Sequence, residues 1–98
     1  MPSTTPTPTV HDPEHPRLAP HVRLTFDQTR QRHLLLSPER VIVLNATGAS
    51  ILGLCDGERT VAEIVAQLRG RYSRVVDDEI RLFLGRLVAR RCVEVHHG

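Results

Sequence analysis

The hydrophobic period of this chain changes once, and that change limits what it can fold into. In His21-Val22-Arg23-Leu24-Thr25-Phe26 polar and apolar residues alternate, the period of a half-buried strand. Asp27-Gln28-Thr29-Arg30-Gln31 interrupts the alternation with a polar turn. His33-Leu34-Leu35-Leu36 resumes it as a second strand, closed by Ser37-Pro38-Glu39. Arg40-Val41-Ile42-Val43-Leu44 is a third, rich in β-branched residues and apolar on both faces. Short intervals and polar turns predict antiparallel hairpins. In so small a chain, a strand apolar on both faces needs cover on both sides, or it has a face awaiting a partner.

After Leu44 the period becomes helical. Asn45 suits an N-cap, and Gly48, Ile51, Leu52 and Cys55 share one face before Asp56-Gly57 stops the helix. Thr60-Val61-Ala62-Glu63 is a capping box, in which hydroxyl and carboxylate each satisfy an orphan N–H. Behind it Val61, Ile64, Val65, Leu68 and Tyr72 form an i, i+3, i+4 stripe, with Gly70 and Ser73 marking the end. A third helix begins near Asp77, where Asp78 and Glu79 also suit a helix N-terminus, and runs to about Arg91. Arg86, Arg90 and Arg91 stand toward its negative end. Cys92-Val93-Glu94-Val95 suggests a short terminal strand. The predicted fold is α+β and winged-helix-like: three N-terminal antiparallel strands followed by three helices.

Composition sets the scale of what this domain can do. With 98 residues, 40% of them hydrophobic and only 3% aromatic, the chain supports one modest core. A binding module is the expectation, since a deep catalytic pocket needs more scaffold. Six of the seven prolines fall within the first twenty residues, and before Val10 the only apolar residue is Met1. Residues 1–16 therefore read as a disordered Pro/Thr-rich tail or linker, and residues 17–98 as the folded domain. His11 and His15 flank Pro13 in that tail, which argues against a helical metal pair; His96 and His97 read as a frayed end. No apolar run approaches the roughly 18–20 residues that cross a bilayer. Thr and Pro stand where a secretory signal needs an apolar stretch, so a cytoplasmic protein is expected.

All thirteen basic residues are arginine, and eleven acids leave a net charge of +2, too mild to announce a nucleic-acid binder. Cys55 and Cys92 match no metal or redox spacing and read as buried thiols. No nucleophile–base arrangement, glycine-rich phosphate loop or metal cluster is present. His33 and Glu39 read as a sheet histidine and a turn glutamate, so neither a catalytic nor a metal site is expected.

The third helix carries two apolar surfaces. Ile80, Phe83, Leu84 and Leu87 form the core face. Leu82, Gly85 and Ala89 cluster on another side, roughly 130–180° round, with Asp78 on the same line and Arg81 and Arg86 flanking. Glycine inside a helix costs about 1 kcal/mol relative to alanine. Its presence points to a close backbone approach, either by another part of the monomer or by a ligand in a shallow groove. The third strand offers the matching half of such a groove. At a sheet edge its free N–H and C=O groups accept an extended peptide; alternatively, Val41 and Val43 are plain core and Arg17–Pro20 blocks the edge.

Leu34-Leu35-Leu36-Ser37-Pro38-Glu39 through Val43-Leu44-Asn45-Ala46-Thr47-Gly48, then Ile51-Leu52, Cys55-Asp56-Gly57 and Thr60-Val61-Ala62-Glu63-Ile64-Val65, resembles the PqqD family of pyrroloquinoline quinone (PQQ) biosynthesis. The resemblance covers roughly residues 17–95. It implies a non-enzymatic peptide chaperone, a recognition element of the kind found in ribosomally made, modified peptide (RiPP) pathways, with no cofactor of its own. The implied partners are the precursor peptide PqqA and PqqE, the radical S-adenosylmethionine (SAM) enzyme that modifies it. Carried onto this chain, the family's groove places the peptide along Val41, Ile42, Val43 and Leu44 and against Asp78, Arg81, Leu82, Gly85 and Arg86. Some members occur fused behind PqqC, the pathway's oxidase, which makes residues 1–16 a candidate interdomain linker; an apolar third strand equally suits a dimer. The competing reading is a winged-helix DNA-binding regulator. Against it stand the scattered arginines and the acidic start of the third helix, which repels phosphate where recognition helices approach bases.

Overall fold

The computed structural model describes residues 10–71 and 77–97. Along the chain these form β1 (Glu14–Leu18), β2 (Arg23–Asp27), β3 (Arg32–Leu36), β4 (Val41–Leu44), α1 (Ala46–Gly53), α2 (Val61–Arg71), α3 (Asp77–Ala89) and β5 (Val93–His97). The three predicted strands are present as an antiparallel meander in the order β2-β3-β4, and the three helices follow. Tyr72 and Ser73, read as the end of the second helix, lie outside the described residues.

Local chemistry accounts for most of the boundaries. In the β2–β3 turn the Asp27 carboxylate accepts the N–H groups of Thr29 at 3.0 Å and Arg30 at 3.3 Å. The next turn closes with the Ser37 N–H on the Arg40 carbonyl at 2.9 Å, while the Ser37 hydroxyl accepts the Arg40 N–H at 3.1 Å. Asn45 caps α1, its side-chain oxygen 2.7 Å from the Gly48 N–H. The capping box closes both ways at α2: Thr60 Oγ1 accepts the Glu63 N–H at 3.1 Å, and Glu63 Oε1 accepts the Thr60 N–H at 2.9 Å. Those bonds hold the Glu63 carboxyl below its ordinary range, since they favour the charged form.

The core draws on the sheet and all three helices. Leu35, Leu52, Ile64, Leu68, Ile80 and Leu84 are its most deeply buried large side chains. Cys55 and Cys92 are both buried free thiols. Burial, reinforced by the neighbouring Asp56 carboxylate, pushes the Cys55 thiol up to about 12.

The N-terminal expectation needs correction. Residues 10–16 are part of the fold, and residues 1–9 lie outside the described residues. Glu14–Leu18 pairs antiparallel with Val93–His97, with His15 opposite His96 and Leu18 opposite Val93. His96 therefore stands in a ladder, where a frayed end was expected. Val10 is only 2% exposed, and Pro16 is also buried. The Asp12 carbonyl accepts the Ala62 N–H at 3.1 Å, and the Asp12 carboxylate binds Arg81 at 2.7 Å. Two physical facts outweigh the proline-rich composition. A two-stranded ribbon tolerates a proline whose missing N–H lies on the open side, and burial of Val10 and Pro16 offsets the entropy of ordering the segment.

Truncating Val10 tests that correction. Val10→Ala is expected to lower unfolding stability by about 1–2 kcal/mol, read from chemical denaturation; a tail position would give no change. Cys55 gives a pH-dependent test. The unfolded thiol ionises near 9.0 while the folded one keeps its proton to about 12. Its stabilising contribution is therefore full below pH 9.0 and is lost as pH rises through about 12. At pH 8 iodoacetamide is expected to leave Cys55 unmodified in the native protein and to label it in denaturant, as read by peptide mass mapping.

Candidate functional site

β4 is hydrogen-bonded on one side only, being the last strand of its sheet. The turn bond between Ser37 and Arg40 sets the phase of the antiparallel ladder, in which bonded and non-bonded pairs alternate. Leu35–Ile42 and His33–Leu44 then fall on bonded pairs, while Leu36–Val41 and Leu34–Val43 fall on non-bonded ones. The N–H and C=O groups of Val41 and Val43 accordingly point away from β3, toward the open edge. Their side chains are also open, 63% and 57% exposed, whereas Leu44 is buried and Ile42 packs against the core. Neither Val41 nor Val43 is core, and Arg17 and Leu18 pair with β5, with the Ala19 N–H on the Cys92 carbonyl at 2.9 Å, instead of pairing with β4.

Beside this edge lies a cleft of about 490 Å³. One wall is Ile42, Val43 and Leu44; Thr47, Gly48 and Ile51 of α1 form the floor; Glu79, Ile80 and Phe83 of α3 form the far wall. The α1–α3 junction depends on Gly48. A Cβ there would sit 3.2 Å from both Asn45 Oδ1 and Phe83 Cζ, so the missing side chain lets the Phe83 ring approach the first turn of α1 closely.

The predicted site residues separate into two groups. Ile42, Val43 and Leu44 line the cleft, and Val41 continues the same edge. The predicted helix residues do not line it. Arg81 turns to the opposite side of α3, where Asp12 holds it at 2.7 Å and Asp78 at 3.3 Å. The Asp12 carboxylate raises the pKa of that guanidinium above its ordinary value. Gly85, four residues on, is buried on that same side. Leu82, 52% exposed, and Arg86, also exposed, stay outside the lining. The core face of α3 is the expected one, with Ile80, Leu84 and Leu87 buried, and Arg81 is drawn to the far side by a carboxylate from a segment read as disordered.

What sequence reasoning missed are Glu79, Ile80 and Phe83 as groove wall, together with Thr47, Gly48 and Ile51. Ile80 and Phe83 were assigned to the core, and Phe83 in fact lies at the border between core and groove, half-buried. The available signal was Gly48, a second helical glycine beside a cap. Among the described residues, no group of three or more His, Cys, Asp or Glu gathers as a metal site would require.

Comparisons with known proteins agree with this geometry. The family described as coenzyme PQQ synthesis protein D (PqqD) matches residues 32–93. A protein of Rhodopseudomonas palustris BisB5 named PqqA binding protein is 45% identical over 65 residues, 66% of this chain and 64% of its own length; the matched segment thus spans a little under two thirds of that relative. The PqqA binding protein of Azotobacter vinelandii is 36% identical over 83% of this chain and 90% of its own length. The bifunctional coenzyme PQQ synthesis protein C/D of Methylorubrum extorquens is 37% identical over 81% of this chain and 22% of its own. Among solved structures, the PqqD truncation of Methylobacterium extorquens PqqCD, described as a functional and stand-alone RiPP recognition element, superposes with TM-score 0.60 at 36% identity, covering 81% of this chain and 87% of that one. The heterocyclase TruD gives TM-score 0.64 at 25% identity over 86% of this chain and 12% of its own. With the family match over residues 32–93, relatives above 30% identity and the strand-first α+β architecture in agreement, this chain belongs to the PqqD family.

Proposed function

We propose that this chain is a peptide adaptor of PQQ biosynthesis, which binds the precursor peptide PqqA as an added strand on β4 and presents it to the radical SAM enzyme PqqE. It contributes no chemistry of its own and works in the cytoplasm, free or fused to PqqC. The observation that carries the reading is the unpaired Val41–Val43 edge standing beside an apolar cleft. A guest strand pairs with the outward N–H and C=O groups, and its alternate side chains rest on Phe83 and Ile51. Relatives named PqqA binding protein and a homologous domain described as a recognition element support it. No helix among the described residues is long and apolar enough to cross a membrane. The DNA-binding alternative gains nothing from the structure, since α3 opens with three acidic residues in its first turn. A four-residue edge buries modest area, so affinity is moderate and the complex exchanges.

Two substitutions test the edge and the cleft separately, by titrating labelled PqqA and measuring anisotropy. Val43→Pro deletes an outward-facing donor without touching the β3 ladder. It is expected to weaken binding about tenfold, the worth of one well-placed hydrogen bond plus lost register, with the melting temperature little changed. Gly48→Ala gains helix propensity, about 1 kcal/mol, but drives the Phe83 ring into the cleft. It is expected to keep the fold and lower affinity several-fold, with amide shifts concentrated in β4 and around Phe83. Wild-type affinity in both variants sinks the strand-addition reading.

A further inference from the structure

A second cleft, about 240 Å³, lies at the other end of β4. Its lining comes from the β3–β4 turn, Ser37 to Arg40, and from Arg90, Arg91 and Cys92 just beyond α3, with His21 between them. The two clefts therefore share the same pair of elements. The first half of α3 faces the Leu44 end of β4, and the turn after α3 faces the Arg40 end, so strand and helix run in opposite directions with the open edge along them.

The two ends differ in charge. Glu79 lines the first cleft. Arg40, Arg90 and Arg91 line the second, opposed by the single carboxylate of Glu39. These three exposed arginines make no ion pair among the described residues, as holds also for Arg23, Arg30, Arg32 and Arg86; what sets the three apart is that they converge on one cleft. Arg91 is also held in an uncommon backbone. The Cys92 N–H reaches the Leu87 carbonyl at 2.8 Å and the Arg91 N–H reaches the Val88 carbonyl at 2.9 Å, a Schellman closure with Arg91 at φ 61. Glycine is the residue that this position favours. The negative end of α3 explains a cation in the last turn. It does not explain a long side chain kept in a left-handed conformation, nor Arg40 arriving from a different element.

We infer that the peptide acceptor edge is polarised, and that beyond its apolar anchor it recognises a cluster of carboxylates on the guest. The inference rests on the proposal that the peptide adds as a strand to β4. Every pairing in this sheet is antiparallel, and an antiparallel guest starts at the Leu44 end and finishes at the Arg40 end. Its apolar side chains lie over Phe83 and Ile51, and its acidic residues follow about four positions later, roughly 13 Å along the strand. There they meet guanidinium groups able to bind carboxylates bidentately. A guest laid in the other direction would bring its carboxylates to Glu79 and be repelled.

Three labelled synthetic peptides of matched length test this against the full chain by anisotropy. One has an apolar block followed by a glutamate triplet, one has the two blocks exchanged, and one has glutamine in place of glutamate. The first is expected to bind about tenfold tighter than the other two at low salt, with the difference closing at high salt. Arg91→Gly removes the charge and relieves the backbone, so its melting temperature should hold or rise while the preference shrinks. Adding Arg40→Gln should abolish the preference and leave the glutamine peptide's affinity unchanged. Equal binding of the first two peptides, or a preference that survives both substitutions, overturns the inference. If the three peptides bind equally, strand addition stands and the acidic subsite falls; if none binds, both fall.

Discussion

A strand bonded on one side only governs the rest of this structure. β4 buries Leu44 and tucks Ile42 toward the core, and its ladder to β3 turns the polar groups of Val41 and Val43 outward. Those groups are solvated, so a guest strand exchanges water for peptide, and each bond contributes only about 1 kcal/mol net. The same arrangement that admits a ligand invites self-pairing. The hazard is blunted by a strand of four residues and by Pro38 and Arg40 at its entrance. Specific capture then depends on side chains resting in the cleft, because the backbone edge by itself does not discriminate.

Keeping that edge open requires α3 to be held from its other side. Arg81 is the clamp. It reaches Asp12 at 2.7 Å and Asp78 at 3.3 Å, joining the start of the described chain to the helix that walls the cleft. Nearby, β1 and β5 form a ribbon packed on α3, and the Gly57 N–H bonds the Pro16 carbonyl at 3.0 Å. Arg17 pairs with Glu94 across the same ribbon at 3.0 Å. Exposed pairs of this kind are individually weak. Set beside the ladder and the burial of Val10, they fix which face of α3 turns inward, and the face carrying Glu79 and Phe83 is left for the groove.

Much of this was legible before any coordinates, for reasons that are local. The capping box, the Asn45 cap and the alternation of β2 to β4 depend on near neighbours in sequence, and each appears where it was read. The errors came from long-range contacts. Val10 and Pro16 look like linker because composition says nothing about a ribbon closed with residues some eighty positions later. Once that segment is in place, Asp12 draws Arg81 away from the groove, and the predicted set Asp78, Arg81 and Gly85 goes with it. The strand half of the site, Val41 to Leu44, was readable because strand order follows from short hairpins. On α3 the cleft is lined by Glu79, Ile80 and Phe83 instead of the expected Asp78, Arg81, Leu82, Gly85 and Arg86, because periodicity reveals the core face but not which of its borders turns toward β4. At Gly48 a Cβ would stand 3.2 Å from Phe83 Cζ, an approach that the sequence pattern does not reveal.

Four of the chain's departures from ordinary local preference lie together, although Gln31 at φ 55 in the β2–β3 turn and the exposed Phe26 and Leu82 stand apart from them. Gly48 sits in a helix where alanine would be the better former, Val41 and Val43 expose β-branched side chains, and Arg91 occupies a left-handed position suited to glycine. All four border the β4 edge or one of its two clefts. A domain of this size has little stability to spare, so the rest of the fold must offset each such concession. Each also has a use there: Gly48 seats Phe83, the valines offer an open ladder, and Arg91 projects charge at the ladder's far end. Where local preference and fold disagree beside β4, the proposed guest strand supplies a reason.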